Sequence, residues 1–184
     1  GVTLPADARC VREAEDWLIR QAIPLWLDRG VDRRQGGFHE ALDPAGRPVT
    51  PGFKRLRVAT RQIYVFSEAT LQGVSGAREA VSHGIDFVLS RLRHPQGGFV
   101  SRCDPDGTIL DSSLDLYDLA FTLFAFAHAY RVTGEPVLRE EAVGLLGLID
   151  RELRHPAGGY AEGVPASLPR RQNPHMHLLE AALA

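Results

Sequence analysis

Apolar side chains near the start of the chain recur with the spacing of an amphipathic helix. From about Ala8 to Leu27, positions Val11, Ala14, Leu18 and Leu25 fall on one side, and Pro24 is expected to kink or shorten the last turn. The same periodicity returns over about Leu56 to Gln72, Ala77 to Leu92 and Leu114 to Arg131, and again from Pro136 to about Leu153. Pro136 suits a helix first turn, where its missing N–H would have no intrahelical partner. A sixth helix is expected from near Pro174 and is unfinished at Ala184. No stretch alternates long enough to form a major sheet, so the pattern is all-α.

The segments between the helices repeat. Gly36-Gly37-Phe38, Gly97-Gly98-Phe99 and Gly158-Gly159-Tyr160 stand 61 residues apart, and the last two copies extend backwards through His94-Pro95 and His155-Pro156. After the first two copies come Asp43-Pro44-Ala45-Gly46 and Asp104-Pro105-Asp106-Gly107, residue types that favour a tight turn between short extended pieces. Each period therefore reads helix, Gly-Gly-aromatic loop, helix. Helical hairpins of this kind either stack into an open solenoid or close into a toroid of inner and outer helices. Connections of about 20 to 27 residues are far longer than a simple bundle needs, which points to function in the loops.

Composition narrows the classes. The 184 residues are enough for a real core, and a formal charge of -2 with scattered Lys and Arg provides no footprint for nucleic acid or an anionic membrane surface. No apolar run approaches a membrane span, and the N-terminus lacks a signal-peptide profile. Cys10 and Cys103 are too few for a disulfide framework or a cysteine zinc site, so a reducing compartment, the cytoplasm, is expected.

Candidate chemistry lies on the helices that follow the long loops. Arg57, Arg61, Tyr64 and Glu68 share one face, which reads either as a stripe of surface charges or as a functional face. One period later the same phase holds Tyr117, Phe121, Phe124 and His128 in a helix apolar nearly all round, and a further 60 residues reach His177. Arg57, Tyr117 and His177 are thus equivalent positions expected to face one cavity. In the segment Asn173-Pro174-His175-Met176-His177-Leu178-Leu179-Glu180, the two histidines point to opposite sides of a helix, so no metal site is expected. Asn173, His177 and Glu180 instead share a face and offer amide, imidazole and carboxylate to one small volume.

Elsewhere the structural reading leads. His94 and His155 are expected to meet helix-terminal carbonyls, His128 to be a satisfied core residue, and Asp111, Asp115 and Asp118 to serve a helix N-terminus; His39 and His83 show no partner pattern. Gly-X-Ser-X-Gly and Walker loops do not occur.

The segments Arg61-Gln62-Ile63-Tyr64-Val65-Phe66, Leu116-Tyr117-Asp118-Leu119-Ala120-Phe121 and Asn173-Pro174-His175-Met176-His177-Leu178 with Glu180 resemble the N-acylglucosamine 2-epimerase family, which includes mannose isomerase-like aldose-ketose isomerases and cellobiose 2-epimerases. The resemblance runs the length of the chain. It implies an (α/α)6 barrel, with residues 1–184 as about three of six hairpins, the N-terminal half of a single domain in a truncated chain. It implies a cofactor-independent reaction at C2 of an open-chain monosaccharide through an enediol. Carried over, His177 is the catalytic candidate, and Arg61, Tyr117, Asn173 and Glu180 line the substrate pocket. Association into a homo-oligomer is left open. Two other classes stay open beside it: a six-hairpin glycoside hydrolase or lyase, with Asp118 and Glu180 as its carboxylates, and a non-catalytic helical-repeat binding module.

Overall fold

The computed structural model describes residues 6–152 together with 163–164. The helices are α1 (Ala6–Trp17), α2 (Ile23–Leu25), α3 (Leu56–Leu71), α4 (Ala77–Arg91), α5 (Leu116–Thr133) and α6 (Pro136–Glu152). Short strands punctuate the loops: β1 (Ala41–Leu42), β2 (Pro48–Val49), β3 (Lys54–Arg55), β4 (Arg102–Cys103), β5 (Ile109–Asp111), β6 (Leu114–Asp115) and β7 (Gly163–Val164). The third Gly-Gly-aromatic copy, His155 and the helix expected near Pro174 lie outside the described residues.

The first expected helix is broken into α1, a π-helical turn at Leu18–Ala22, α2 and a second π-helical turn at Trp26–Gly30. Pro24 sits in α2, and its missing N–H interrupts the regular ladder, which passes to the wider hydrogen-bond spacing on either side. The helix expected from Leu114 starts two residues later. Asp115 is extended, at φ −93° and ψ 124°, and its side chain accepts the Asp118 amide at 3.0 Å, so Leu114 and Asp115 belong to a strand and a cap. At the far end Gly134 takes φ +68° and stops α5 at Thr133.

The repeat is visible atom by atom. Asp43 Oδ1 accepts the amides of Ala45 and Arg47, both at 2.9 Å, and Asp104 Oδ1 accepts those of Asp106 and Thr108 at the same distances. These turns close the β1–β2 and β4–β5 hairpins. The first two Gly-Gly-aromatic loops then plug their rings into the core. Phe38 meets Phe66 with ring centres 5.7 Å apart, and Phe99 meets Phe126 at 5.6 Å, all four rings being buried.

Successive periods are stitched at the loop end by strand pairs. β3, which leads into α3, pairs antiparallel with β4, and β6, which leads into α5, pairs with β7 of the next period. The Ser101 carbonyl accepts the first amide of α3 at 3.0 Å, which satisfies a helix terminus without a side-chain cap. Below the strands, α3 packs on α4 and on α5, and α5 packs on α6. Contacts between α3 and α5 join equivalent positions in step, Tyr64 with Phe124 and Glu68 with His128, so the two helices run parallel. Helices α4 and α6 back them from outside. Buried hydroxyls inside this packing are satisfied locally, since Thr60, Ser67 and Thr122 each donate to the carbonyl four residues earlier.

Candidate functional site

The buried face of α3 carries Leu56, Ala59, Ile63 and Phe66, which leaves Arg57, Arg61, Tyr64 and Glu68 on the opposite face, turned away from the core. Together with the adjoining face of α5 this stripe forms the candidate site. Its upper end, next to the loops, is polar. Arg57 Nε donates to Asp118 Oδ1 at 3.1 Å, and the guanidinium carbon lies 5.9 Å from the centre of the Tyr117 ring. Burial, the largest influence, pushes the Asp118 carboxyl above its ordinary pKa; Arg57 opposes it, Asp115 adds to it, and Arg61 opposes it from farther off.

The middle is aromatic. Tyr64 stands at 80° to Phe121 with centres 6.4 Å apart and lies 5.1 Å from Phe124. At the lower end the His128 ring packs 4.4 Å from Phe124 and 5.0 Å from Tyr64, and its Nδ1 lies 3.1 Å from Glu68 Oε1. The face thus grades from charged to aromatic to a carboxylate–imidazole pair.

Of the residues expected to form the site, Arg61 is exposed on this face, and Tyr117 is half-buried in the first turn of α5 beside Arg57. Asn173, His177 and Glu180 lie outside the described residues. The stripe of surface charges expected as one reading of α3 is replaced by specific partners across the helix pair. Glu68 is engaged with His128, and Arg57 with Asp118. The signal that could have found both pairs was the period itself, because each joins residues 60 or 61 apart.

The other histidines divide. His94 does not reach helix-terminal carbonyls; its Nδ1 accepts the Gln96 amide at 3.0 Å and braces the turn before Gly97, because the loop folds back over its own backbone. His83, without a visible pattern in the sequence, places Nε2 2.9 Å from the Gly37 carbonyl. Asp115 does cap a helix, but Asp111 sits in β5 and accepts from the amide and hydroxyl of Ser113, which hold its carboxyl below the ordinary pKa. Asp118 takes the first turn of α5 but spends its carboxylate on Arg57.

A second polar cluster lies under the first loop. Lys54 Nζ donates to Asp32 Oδ2 at 2.6 Å and to the Gly36 carbonyl, with the Phe87 ring centre 5.4 Å away. Burial acts to raise the Asp32 carboxyl, but the bonds from Lys54 and from the Gln35 and Arg34 amides outweigh it and hold it below the ordinary value. His39 beside them is lowered, by burial first. Asp32, His39 and Lys54 line a cleft of about 240 Å³ that also touches Thr50, Phe53 and Pro105. Among the described residues no three His, Cys, Asp or Glu side chains are arranged to hold a metal ion, and no helix is long and apolar enough to cross a membrane. Cys103 is buried, and burial pushes its thiol up to about 11.

Similar proteins match nearly the whole of this chain. A mannose-6-phosphate isomerase of Rhizobium meliloti is 40% identical over 177 residues, a match covering 94% of this chain and 45% of that protein. A D-mannose isomerase of Thermobifida fusca is 31% identical over 184 residues, with coverage of 91% and 45%. The cellobiose 2-epimerase structure from Spirochaeta thermophila superposes with a TM-score of 0.84 at 26% identity, over 98% of this chain and 49% of that one. The chain therefore spans about half the length of the relatives it matches, and its parallel inner helices backed by outer ones are part of an (α/α)6 barrel, which supports the toroid over the open solenoid. The profile of the N-acylglucosamine 2-epimerase (GlcNAc 2-epimerase) family matches residues 36–184, and with that match over most of its length the chain belongs to this family of carbohydrate isomerases and epimerases.

Proposed function

We propose that the protein is an aldose-ketose isomerase of the mannose type, acting on an open-chain monosaccharide through an enediol. The observation that supports this most directly is Arg61, an exposed guanidinium on the inner face with no hydrogen-bonded partner among the described residues, beside an aromatic surface. A free guanidinium there is suited to an oxygen that gains negative charge during reaction.

The chemistry requires only proton transfers. An imidazole takes the C2 proton, the C2–H electron pair forms the C1=C2 double bond, and the C1 carbonyl oxygen becomes the enediolate oxygen that Arg61 steadies. Transfer of the C2 hydroxyl proton to O1 and return of a proton to C1 give the ketose; return of a proton to C2 from the opposite face restores the C1 aldehyde and gives the epimer. His177 is the imidazole assigned to handle or direct these protons, with Tyr117, Asn173 and Glu180 placing the sugar hydroxyls. The residues beyond the described ones complete the pocket in this reading. The hydrolase alternative is weakened by Asp118, whose carboxylate is committed to Arg57 and is not free as a general acid.

The test uses the full-length gene product with mannose, fructose, glucose and N-acetylmannosamine in D2O, read by NMR for deuterium at C1 or C2. Exchange with mannose or fructose is the expected result, and Arg61→Ala or His177→Ala should each lower turnover by about a hundredfold with helix content unchanged. A full-length protein that exchanges none of the four sugars would sink the proposal.

A further inference from the structure

Arg57 stands one helical turn before Arg61 on the same face of α3, between that face and the loops. Of its guanidinium nitrogens only Nε is bonded to a described residue, the Asp118 carboxylate. Its side chain is 45% exposed while that of Asp118 is 10% exposed, so the carboxylate is sunk into the helix pair and the guanidinium faces outward from it. A guanidinium carries five N–H donors in a rigid plane. With Nε on Asp118 and the guanidinium carbon 5.9 Å from the Tyr117 ring centre, its two terminal nitrogens carry no hydrogen bond to a described residue.

The support is itself fixed. The amide of Asp118 is capped by the Asp115 side chain at 3.0 Å, and the α5 turn that follows is buried on Leu116, Leu119 and Ala120. Burying that carboxylate works against its charged form, and Asp115 adds to the cost. For a purely structural tie between helices, an apolar pair of similar volume would serve as well or better. What the ion pair adds is an arginine held in one orientation before anything binds, at reduced entropic cost.

We propose that Arg57 is a substrate-contacting residue and Asp118 the positioning residue that aims it, the terminal guanidinium nitrogens donating to hydroxyls at the C5–C6 end of the sugar while Arg61 acts at the C1–C2 end. The assignment rests on the isomerase reading above. Four residues of helix separate the two arginines by about 6 Å along the axis, comparable with the length of an open-chain hexose. A residue that grips the remote end binds ground state and transition state alike, so its loss raises KM more than it lowers kcat.

The experiment compares the parent full-length protein with Arg57→Met, Arg57→Lys, Asp118→Asn and the Arg57→Met/Asp118→Asn double variant, on mannose and on lyxose, which lacks the C6 carbon and its hydroxyl. Exchange from D2O supplies KM and kcat, and thermal unfolding is followed in parallel. Arg57→Met should raise KM for mannose about tenfold with kcat within about threefold of the parent, and should change KM for lyxose much less. Asp118→Asn should act in the same direction more weakly without lowering the unfolding temperature, Arg57→Lys should restore only part of the loss, and the double variant should be no worse than Arg57→Met. Equal effects on both sugars, or mannose KM values within about twofold of the parent for Arg57→Met and Asp118→Asn, overturn the assignment while leaving the isomerase reading intact. A parent that exchanges no sugar overturns both.

Discussion

His39 shows how one buried side chain ties stability to pH. Its ring is half-buried next to the Asp32–Lys54 pair, with Nδ1 3.9 Å from Asp32 Oδ2. Burial lowers its pKa below 6.5, Asp32 pulls the other way, and Lys54 lowers it further. The unfolded chain therefore binds this proton at a higher pH than the folded one does. Stability is full above about pH 6.5 and falls as the pH drops below that value, until the folded pKa is passed. Asp32 is not a contributor there, because its folded carboxyl is held below 3.8 and its stabilisation is lost only in more acid solution. Urea unfolding at pH 7.5 and pH 5.5 should show the parent losing more stability than His39→Gln, which has no such proton to gain. A parent and variant with the same pH dependence would show that His39 titrates alike in both states.

At the scale of elements, the Gly-Gly-aromatic loops act as keys between hairpins. Gly37 takes φ +69° and a Cβ there would stand 2.7 Å from Phe87 Cγ on α4; Gly98 takes φ +77° and a Cβ would stand 2.5 Å from Leu148 Cδ2 on α6. Phe87 and Leu148 are themselves one period apart, so the same close approach of loop backbone to outer helix is built twice. Gly52 has φ +84° with nothing within 4 Å. Gly52→Ala should therefore cost only the left-handed backbone, about 1–2 kcal/mol, whereas Gly98→Ala adds overpacking of about 1–3 kcal/mol. Chemical denaturation of the two variants checks the order, and equal losses would show that Leu148 yields freely.

Much of this level was readable beforehand. Helical periodicity gave α3, α4, α5 and α6 to within two residues and the repeated turn residues marked where both hairpins reverse, because local propensity and tertiary packing agree there. A break at Pro24 was readable, though not its π-helical form, and the strand status of Leu114 and Asp115 was not, since it depends on β7, distant in sequence. The Arg57–Asp118 and Glu68–His128 pairs become readable only when the period is applied across helices, because face assignment within one helix says nothing of which neighbouring helix lies opposite. Among the expected site residues, Arg61 and Tyr117 lie on the expected face, and the segment carrying Asn173, His177 and Glu180 falls outside the described residues.

For the whole molecule, the decisive fact is an imbalance of covered surface. α3, α4, α5 and α6 bury a continuous core, yet Val11, Trp17, Leu18 and Leu25 in the first helical run are 56%, 55%, 45% and 42% exposed, and Val143 on α6 is 64% exposed. Single exposed apolar residues are ordinary, but Val11, Leu18 and Leu25 recur at seven-residue spacing along one helical run with Trp17 next to Leu18, and such a group is an association surface in water. The relatives are about twice as long, so in a chain of their length the toroid has further helices with which to cover such a stripe. Prepared as these 184 residues alone, the protein should sediment with a concentration-dependent mass and bind the dye ANS. A chain of the relatives' length should bind much less dye and show bluer tryptophan emission. Trp17→Phe assigns that emission change, since Trp26 is half-buried against Gly30 in either case and contributes a constant background. A monodisperse 184-residue monomer that ignores the dye would mean that the α1 stripe is tolerated as ordinary surface and that closure of the ring does not depend on it.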